Sequence, residues 1–320
     1  MFIVPENLIA GLMTRALAFD AVEAVFASMS MRVAYNFPVI REAIGHKDAL
    51  NRFKRAFDRG NVLGVKAGGY WPHNMERRQE INHQSSICLF DPNTGKLHGI
   101  VGGNLLTALR TAAASAVSIK YLARQDAKIL GMVGAGHQSV FQLRAALEQR
   151  DFEKVIGWNR SPEKLERLSK VASDAGLEFE AVAIEDMQKA DAIITITSSF
   201  APSLMANHVS AGTHIACMGT DTKGKQEVAA AVFGNSSVFA DEITQSVTIG
   251  EAQHAITQGI VEATDITEIG QVINGKHPGR RSDSEITLFD GTGVGLQDLA
   301  VASRVVELAV AQGLATEVAF

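Results

Sequence analysis

The run KILGMVGAGHQSVF, residues 128–141, constrains the fold more than any other stretch of this chain. An apolar segment leads into Gly134 and Gly136, and helix-forming residues follow at once. A glycine-x-glycine alone says little. Here it stands between a strand and a helix, and a second strand, KVIGWN, ends about 25 residues on, completing a β-α-β unit. In such a unit the glycines let the backbone approach a pyrophosphate, and the helix N-terminus attracts the anion. Ser139 occupies the place where a third glycine often sits.

The same rhythm runs on from about residue 111. TAAASAVSIKYLA and SPEKLERLSKVASDAG read as helices, and DAIITITSS, THIACMG, SSVFADE and ITLFDGTG as strands. Strands and helices alternating at this spacing predict an α/β fold with a doubly wound parallel sheet, covered on both faces. A long helix, LQDLAVASRVVELAVAQGLA, closes the chain. The first 110 or so residues read differently. Residues 16–29 are helical in period, NVLGVKAGGYW reads as a strand, and SSICLFDPNTGKLHGIVGG reads as a hairpin turning at residues 91–95. A chain of 320 residues is too long for one small core and predicts two domains.

Composition narrows the function classes. The net charge is −5 and no basic arm or stripe is present, so nucleic acid is not expected as a partner. Cys88 and Cys217 both lie in apolar runs, without metal-ligand spacing, and read as small core residues. The N-terminus lacks a basic start followed by an uninterrupted apolar core, and no run approaches the roughly 18 apolar residues of a membrane span. These features predict a soluble cytoplasmic protein with no membrane partner and no bound metal.

Three further stretches carry candidate chemistry. The second strand of the β-α-β unit ends Trp158-Asn159-Arg160-Ser161. An acid there would grip a free ribose; instead Arg160 and Ser161 suit a 2′-phosphate, and Asn159 suits a ribose hydroxyl, so NAD and NADP both stay open. In NLLTALRTAAASAVS, Arg110 and Thr111 read as the start of a helix of small residues, where a guanidinium and a helix dipole would hold an anion together. In HIACMGTDTKGKQEV, residues 214–228, a buried strand delivers one carboxylate, Asp221, to its tip, with Lys223 and Lys225 beyond. Strand tips are where α/β proteins keep their chemistry. His73 and His254 are lone histidines and receive no role.

Together these stretches resemble the ornithine cyclodeaminase/mu-crystallin family. The matching runs are FPVIR (37–41), GVK (64–66), LTALRTAAAS (106–115), VGAGHQ (133–138), GTDTKGKQE (219–227) and FDGTG (289–293), in family order over nearly the whole chain. The resemblance implies nicotinamide-linked chemistry on imino and amino acids. It implies a carboxylate clamp of Arg41 and Arg110, substrate contacts from Lys66 and Thr292, and Lys66 and Asp221 as catalytic groups. It implies cofactor contacts from Ser85, Arg110, Thr111, Gly134, Gly136, His137, Gln138, Asn159, Arg160, Ser161, Thr197, Ser198, Met218, Gly219, Thr220, Lys225 and Gly291. It also favours NAD(H) over NADP(H) and a homodimer.

One region departs from the cyclodeaminases, which usually carry acids ahead of the Lys66 strand. Here HKDALNRFKRAFDR holds His46, Lys47, Arg52, Lys54, Arg55 and Arg59 against Asp48 and Asp58. Cations suit a second carboxylate better than an amine. The expectation is therefore NAD(P)H-dependent reduction of a dicarboxylic imine, iminosuccinate, to L-aspartate. Ornithine cyclodeamination, alanine dehydrogenase or ketimine reductase activity, and a mu-crystallin-like ligand-binding role are the alternatives. The domains are expected at 1–115 with 303–320, for substrate binding and dimerisation, and at 116–302, Rossmann-like, for the dinucleotide.

Overall fold

The computed structural model describes residues 1–46, 48–60 and 62–319. Lys47 of the basic segment lies outside the described residues, as do Asn61 and Phe320. The chain forms two compact units, one of Met1–Arg110 with Val294–Phe320, the other of Thr111–Gly293.

The first unit is built on an eight-stranded mixed sheet. Its path runs Thr316–Glu317, Phe2–Val4, Leu97–Gly102, His83–Phe90, Val62–Tyr70, Leu50–Asp58, Ala34–Asn36, with Ile40–Ala43 pairing Leu50–Asp58. Val62–Tyr70 lies between two long antiparallel neighbours. Lys66 is therefore on a central strand, not on an edge. Leu50–Asp58 of the basic segment is also a strand. Its alternation sends Arg52, Lys54 and Ala56 to one face and Phe53 and Arg55 to the other. The helix Gly295–Ala311 packs on the face bearing Lys54 and Lys66, so close that a Cβ at Gly64 would stand 2.9 Å from Leu299 Cδ2.

The helix read as starting near Arg110 in fact spans Asn104–Leu122. Residues 105–109, LLTAL, are good helix formers and extend it backwards. Its N-terminus is occupied by Glu6, whose carboxylate accepts from Asn104 N (3.1 Å) and Leu105 N (2.7 Å). Arg110 is therefore well inside the helix, and the dipole end that was expected to assist it is satisfied by Glu6.

The second unit holds an eight-stranded parallel sheet in the order Glu178–Ala181, Lys154–Trp158, Ile129–Val133, Ala192–Thr195, His214–Cys217, Ile286–Asp290, Ser236–Ala240, Ile266–Glu268. Chain order reverses beside Ile129–Val133, giving the switch point of a Rossmann-like doubly wound sheet. The central strands are short and buried on both faces, as a sheet covered by helices requires, while the edge strand Glu178–Ala181 is mostly exposed. Val133, Ile193, Ile215, Cys217, Phe233 and Leu288 belong to its core. Cys217 is buried as expected, whereas Cys88 is only half-buried, because its strand turns it away from buried Ile87. Among the described residues no helix is long and apolar enough to cross a membrane.

The Glu6 carboxylate is the cap of the Asn104–Leu122 helix. Glu6→Ala should therefore lower unfolding stability by about 1 kcal/mol, read by denaturant titration. An unchanged midpoint would show that solvent caps the helix equally well.

Candidate functional site

In the first unit, charged side chains gather on the face of the sheet that the C-terminal helix covers. Directly opposite residues of antiparallel strands share a face, and Arg41 opposes Arg52 while Lys54 opposes Lys66. Lys54 and Lys66 are almost wholly buried, as is Arg110. Asp298, in the first turn of Gly295–Ala311, is fully buried among them. Its Oδ1 accepts from Lys66 Nζ (2.9 Å) and from Arg110 Nε (3.0 Å). Lys66 Nζ also donates to Thr107 Oγ1 (2.5 Å), and Arg110 Nη1 to Gln297 Oε1 (3.2 Å). Asp298 Oδ2 and Gln297 Nε2 are buried with no hydrogen-bond partner among the described residues.

The electrostatics follow from burial and crowding. Burial lowers Lys66 to about 8; the Arg110 charge pushes the same way and Asp298 opposes both. Burial also pushes Lys54 well below its ordinary value, with Arg110, Arg52 and Lys66 adding to the effect. His83, next along the same face from Ser85, is lowered to about 3 by burial and then by Lys66 and Arg52, so it is neutral at physiological pH. For Asp298 burial works upward, but Arg110, Lys66 and Lys54 outweigh it and hold the carboxyl below the usual range. Ser85 lies one strand over from the Lys66 strand, opposite Gly68, with its Oγ buried and without a partner among the described residues.

In the second unit the expected cofactor residues fall at one edge of the sheet. Gly134, Asn159, Thr197 with Ser198, Met218 with Gly219, and Gly291 with Thr292 each follow the carboxyl end of a parallel strand. Gly134 has φ +108°, and a Cβ there would come within 2.5 Å of Ile196 O. Gly136 differs: a Cβ there would meet nothing within 4 Å. The first glycine thus makes the turn and the second leaves open space above it, which fits a pyrophosphate. Gln138 Oε1 is buried beside this turn without a partner among the described residues, and His137 is exposed. Ser139, in the third glycine position, is buried, with its Oγ donating to Gly136 O (2.7 Å). Asn159 Oδ1 accepts from Ala135 N (3.1 Å) and Nδ2 donates to Ser161 O (2.8 Å), so this amide ties the second strand to the glycine turn. Arg160 is exposed, and Thr111 is buried in its helix.

Residues 219–228 form a strap held by two buried acids. Glu227 accepts from Thr195 Oγ1 (2.8 Å), Gly219 N (2.7 Å) and Thr197 N, and so joins two strand tips. Glu251 accepts from Glu227 N and Val228 N (both 2.8 Å) and from the Thr220 hydroxyl. Burial, together with the nearby Glu227 charge, raises Glu251 to about 8. On the strap, Asp221 Oδ1 pairs with Lys225 Nζ at 3.0 Å, and the same ammonium donates to Gly219 O (3.3 Å). The next helix begins only at Ala230, so Asp221 does not cap it. Thr292 Oγ1 donates to Asp241 Oδ1 (2.7 Å). His254 bonds Lys225 O (3.0 Å) through Nε2, a structural contact.

Sequence reasoning did not single out Asp298, Thr107, Gln297, His83 or Glu251. Asp298 had a signal that was hard to weigh: an acid in the first turn of a long helix is ordinary dipole chemistry. Only burial distinguishes it. Replacing it with Asn should cost about 3–5 kcal/mol, since buried Lys66 and Arg110 would lose their counter-charge. Its pKa is depressed in the folded state, so its contribution is complete above the unfolded value near 3.9 and is lost as pH falls through the folded value. Denaturant unfolding of both proteins should show the difference shrinking below about pH 4.

The profile of the ornithine cyclodeaminase/mu-crystallin family matches residues 8–313. The chain is 61% identical over 320 residues to the iminosuccinate reductase of Paracoccus denitrificans (strain Pd 1222), covering 99% of each. It is similar to the crystal structure of the Paracoccus denitrificans iminosuccinate reductase in complex with NAD+, with TM-score 0.96 and 60% identity over 100% of this chain and 99% of that one. It is also similar to an archaeal alanine dehydrogenase dimer with bound NAD, with TM-score 0.95 and 29% identity over 100% and 99% of the two chains. With its Rossmann-like unit and these matches over nearly its full length, the chain belongs to the ornithine cyclodeaminase/mu-crystallin family.

Proposed function

We propose that this chain is an NAD(H)-dependent reductase of iminosuccinate, forming L-aspartate. The observation that carries the reading is the 61% identity to an iminosuccinate reductase over 99% of both chains. The buried cationic face of the first unit supports it, because a cyclodeaminase would have to seat a second amine rather than a second carboxylate.

The open space above Gly136 and the unpartnered Gln138 Oε1 fit a dinucleotide at the glycine turn. Gly134, Gly136, His137 and Gln138 would hold its pyrophosphate, and Asn159, Arg160 and Ser161 its adenosine ribose. Thr197, Ser198, Met218, Gly219, Thr220, Lys225 and Gly291 are assigned to the remaining contacts in this unit. Thr111 is assigned with them, and Ser85 and Arg110 are the contacts from the first unit. When bound, the reduced cofactor supplies the hydride that ends on the imine carbon.

The chain's own groups do the rest. Arg41 and Arg110 clamp the α-carboxylate, a task suited to planar guanidinium groups, and Asp298 with Gln297 fixes the Arg110 plane. Thr292 completes the substrate contacts. Reduction of C=N to CH–NH also needs one proton on nitrogen. Lys66 Nζ is the proposed donor, because burial brings its pKa to about 8, where an ammonium both holds and releases a proton near neutrality. Asp221 is the second catalytic assignment. Its pairing with Lys225 keeps a carboxylate in place to offset the positive charge of an iminium.

NADH and NADPH oxidation, followed with iminosuccinate formed in place from oxaloacetate and ammonium, tests the reading. Pyruvate with ammonium, and L-ornithine with NAD+, are the parallel assays. Fast NADH oxidation yielding aspartate is expected. Silence with iminosuccinate and proline from ornithine would overturn the proposal in favour of a cyclodeaminase. Asp221→Ala should abolish turnover while NADH still binds, and undiminished turnover would remove Asp221 from the mechanism. If protonated Lys66 is the donor, kcat/KM for reduction falls as pH rises through about 8.

A homodimer is part of the proposal. The outer face of the first sheet exposes Tyr35, Ile40 and Phe53, and Phe37 beside them. Side chains of this size exposed together mark an interaction surface, and the archaeal alanine dehydrogenase similar to this chain is a dimer. Sedimentation should give twice the 34.2 kDa chain mass, and Phe53→Glu should shift it toward one chain. A monomeric native protein would refute the assignment.

A further inference from the structure

Asp221 and Lys225 lie on a turn rather than a helix, so their 3.0 Å pairing depends on how that turn is held. Its own bonds are short-range ones, Lys225 N to Thr222 O (3.2 Å) and Thr222 Oγ1 to Asp221 Oδ1 (3.1 Å). Gly224, with φ +86°, adds freedom rather than stiffness. A partly exposed ion pair is a weak fastener in water. The turn is gripped from outside by a segment 29 residues on. Gln253 Oε1 accepts from Gly224 N (2.7 Å). Gln253 Nε2 donates to Gly250 O (2.8 Å), with longer contacts of 3.4 Å to Thr222 O and Lys225 O. The gripping segment is itself anchored. Asp290 Oδ2, at the carboxyl end of the strand Ile286–Asp290, accepts from Ala252 N (3.2 Å) and Ser246 Oγ (2.6 Å). A Cβ at Gly250 would stand 2.5 Å from that oxygen, so the backbone is pressed against the strand tip.

We infer that Gln253 is a positioning residue, which transmits the fixed place of the Asp290 strand tip to the turn and so sets where Asp221 and Lys225 stand. This role rests on the imine-reductase reading and adds to it what holds the catalytic carboxylate in place. Glu227 and Glu251 tie the ends of the strap, and Gln253 ties its middle. The task suits an amide. One end must accept from an N–H while the other donates to carbonyl oxygens, and an uncharged side chain that does both is glutamine or asparagine. Gln253 is 8% exposed, so water is a poor substitute for these bonds. A misplacement of about 1 Å at a reacting group costs on the order of 100-fold in rate.

The test uses Gln253→Met, which keeps the length and removes the bonds, and Gln253→Glu. At saturating NADH, Gln253→Met should lower kcat for iminosuccinate by about 10- to 100-fold. KM for the imine should change little, because the carboxylate clamp is elsewhere, and the melting temperature should stay near the native one. Hydrogen exchange of the peptide covering residues 219–228, followed by mass spectrometry, should quicken. Gln253→Glu adds a readout that loss of packing would not move. Its carboxylate would face carbonyl oxygens, whereas its protonated form again accepts on one oxygen and donates from the other. The ratio of its kcat to the native kcat should therefore climb as pH falls from about 8 to about 5. Should Gln253→Met fail to fold, that pH dependence and the exchange of Gln253→Glu carry the comparison.

Unchanged exchange in the strap would overturn the positioning role, and so would faster exchange with undiminished kcat. A flat kcat ratio across that pH range would overturn it as well. If the native protein reduces no imine, the reductase reading fails, and faster strap exchange in the variants still shows that Gln253 holds the turn. If it reduces iminosuccinate and the variants match it in kcat, the positioning role fails and the reductase reading stands.

Discussion

One oxygen of Asp298 takes both Lys66 and Arg110, and the charged face of the first unit is organised around it. Without that carboxylate the sheet would bury several cations beneath a helix. With it, Lys66 is fixed at 2.9 Å and the guanidinium of Arg110 is held by two neighbours of the same helix turn, Asp298 and Gln297. Asp298 Oδ1 accepts two charged donors while Oδ2 has no partner among the described residues. One carboxylate oxygen thus pins two cations from different elements at once. A fully neutralised cluster would be more stable and less able to receive an anion. Burial, which ordinarily argues against charge, is the first cause of the lowered pKa of Lys66.

The second unit applies a different device to the same kind of problem. Glu227 and Glu251 are buried acids whose partners are mainly backbone N–H groups and threonine hydroxyls rather than cations. The backbone N–H groups of Thr197, Gly219, Glu227 and Val228 are satisfied by these carboxylate oxygens. The strap from Gly219 to Val228 is thereby tied at both ends, and its half-buried middle carries the Asp221–Lys225 pair. Gly219 has to be glycine, since a Cβ would lie 2.3 Å from Thr197 O. Rigidity at the ends leaves the pair as the part of the strap that presents charge.

What the sequence disclosed follows the range of the interaction involved. The glycine turn is local: Gly134, Gly136 and the helix after them are adjacent in the chain, so spacing alone identifies them. The parallel sheet is nearly local, because each buried strand announces itself as an apolar run. Short strands such as Ala34–Asn36 and Glu178–Ala181 escaped because three or four residues, mostly not buried, carry no period. The start of the Asn104–Leu122 helix was misplaced because its cap, Glu6, lies 98 residues away from Asn104 in the chain. No window on the sequence contains both. Asp298 escaped for the same reason, lying 188 residues from Arg110 and 232 from Lys66.

The basic segment shows where composition misleads. RFKRAFDR has charges and aromatics spaced so that a solvated helix and a half-buried strand account for it equally well. The number of cations is the same in both, but their consequence is opposite. On a helix they would be scattered around a wet surface and screened within about 10 Å. On a strand, period two gathers Arg52 and Lys54 on one face and leaves Phe53 and Arg55 on the other. The charged side then lies under a helix, and the aromatic side is left exposed. One choice of backbone period therefore sets both the chemistry of the covered face and the apolar character of the outer one. A substitution that disturbed the register of Leu50–Asp58 by one residue would exchange the two faces, and the proposed substrate contacts and the proposed dimer surface would be lost together.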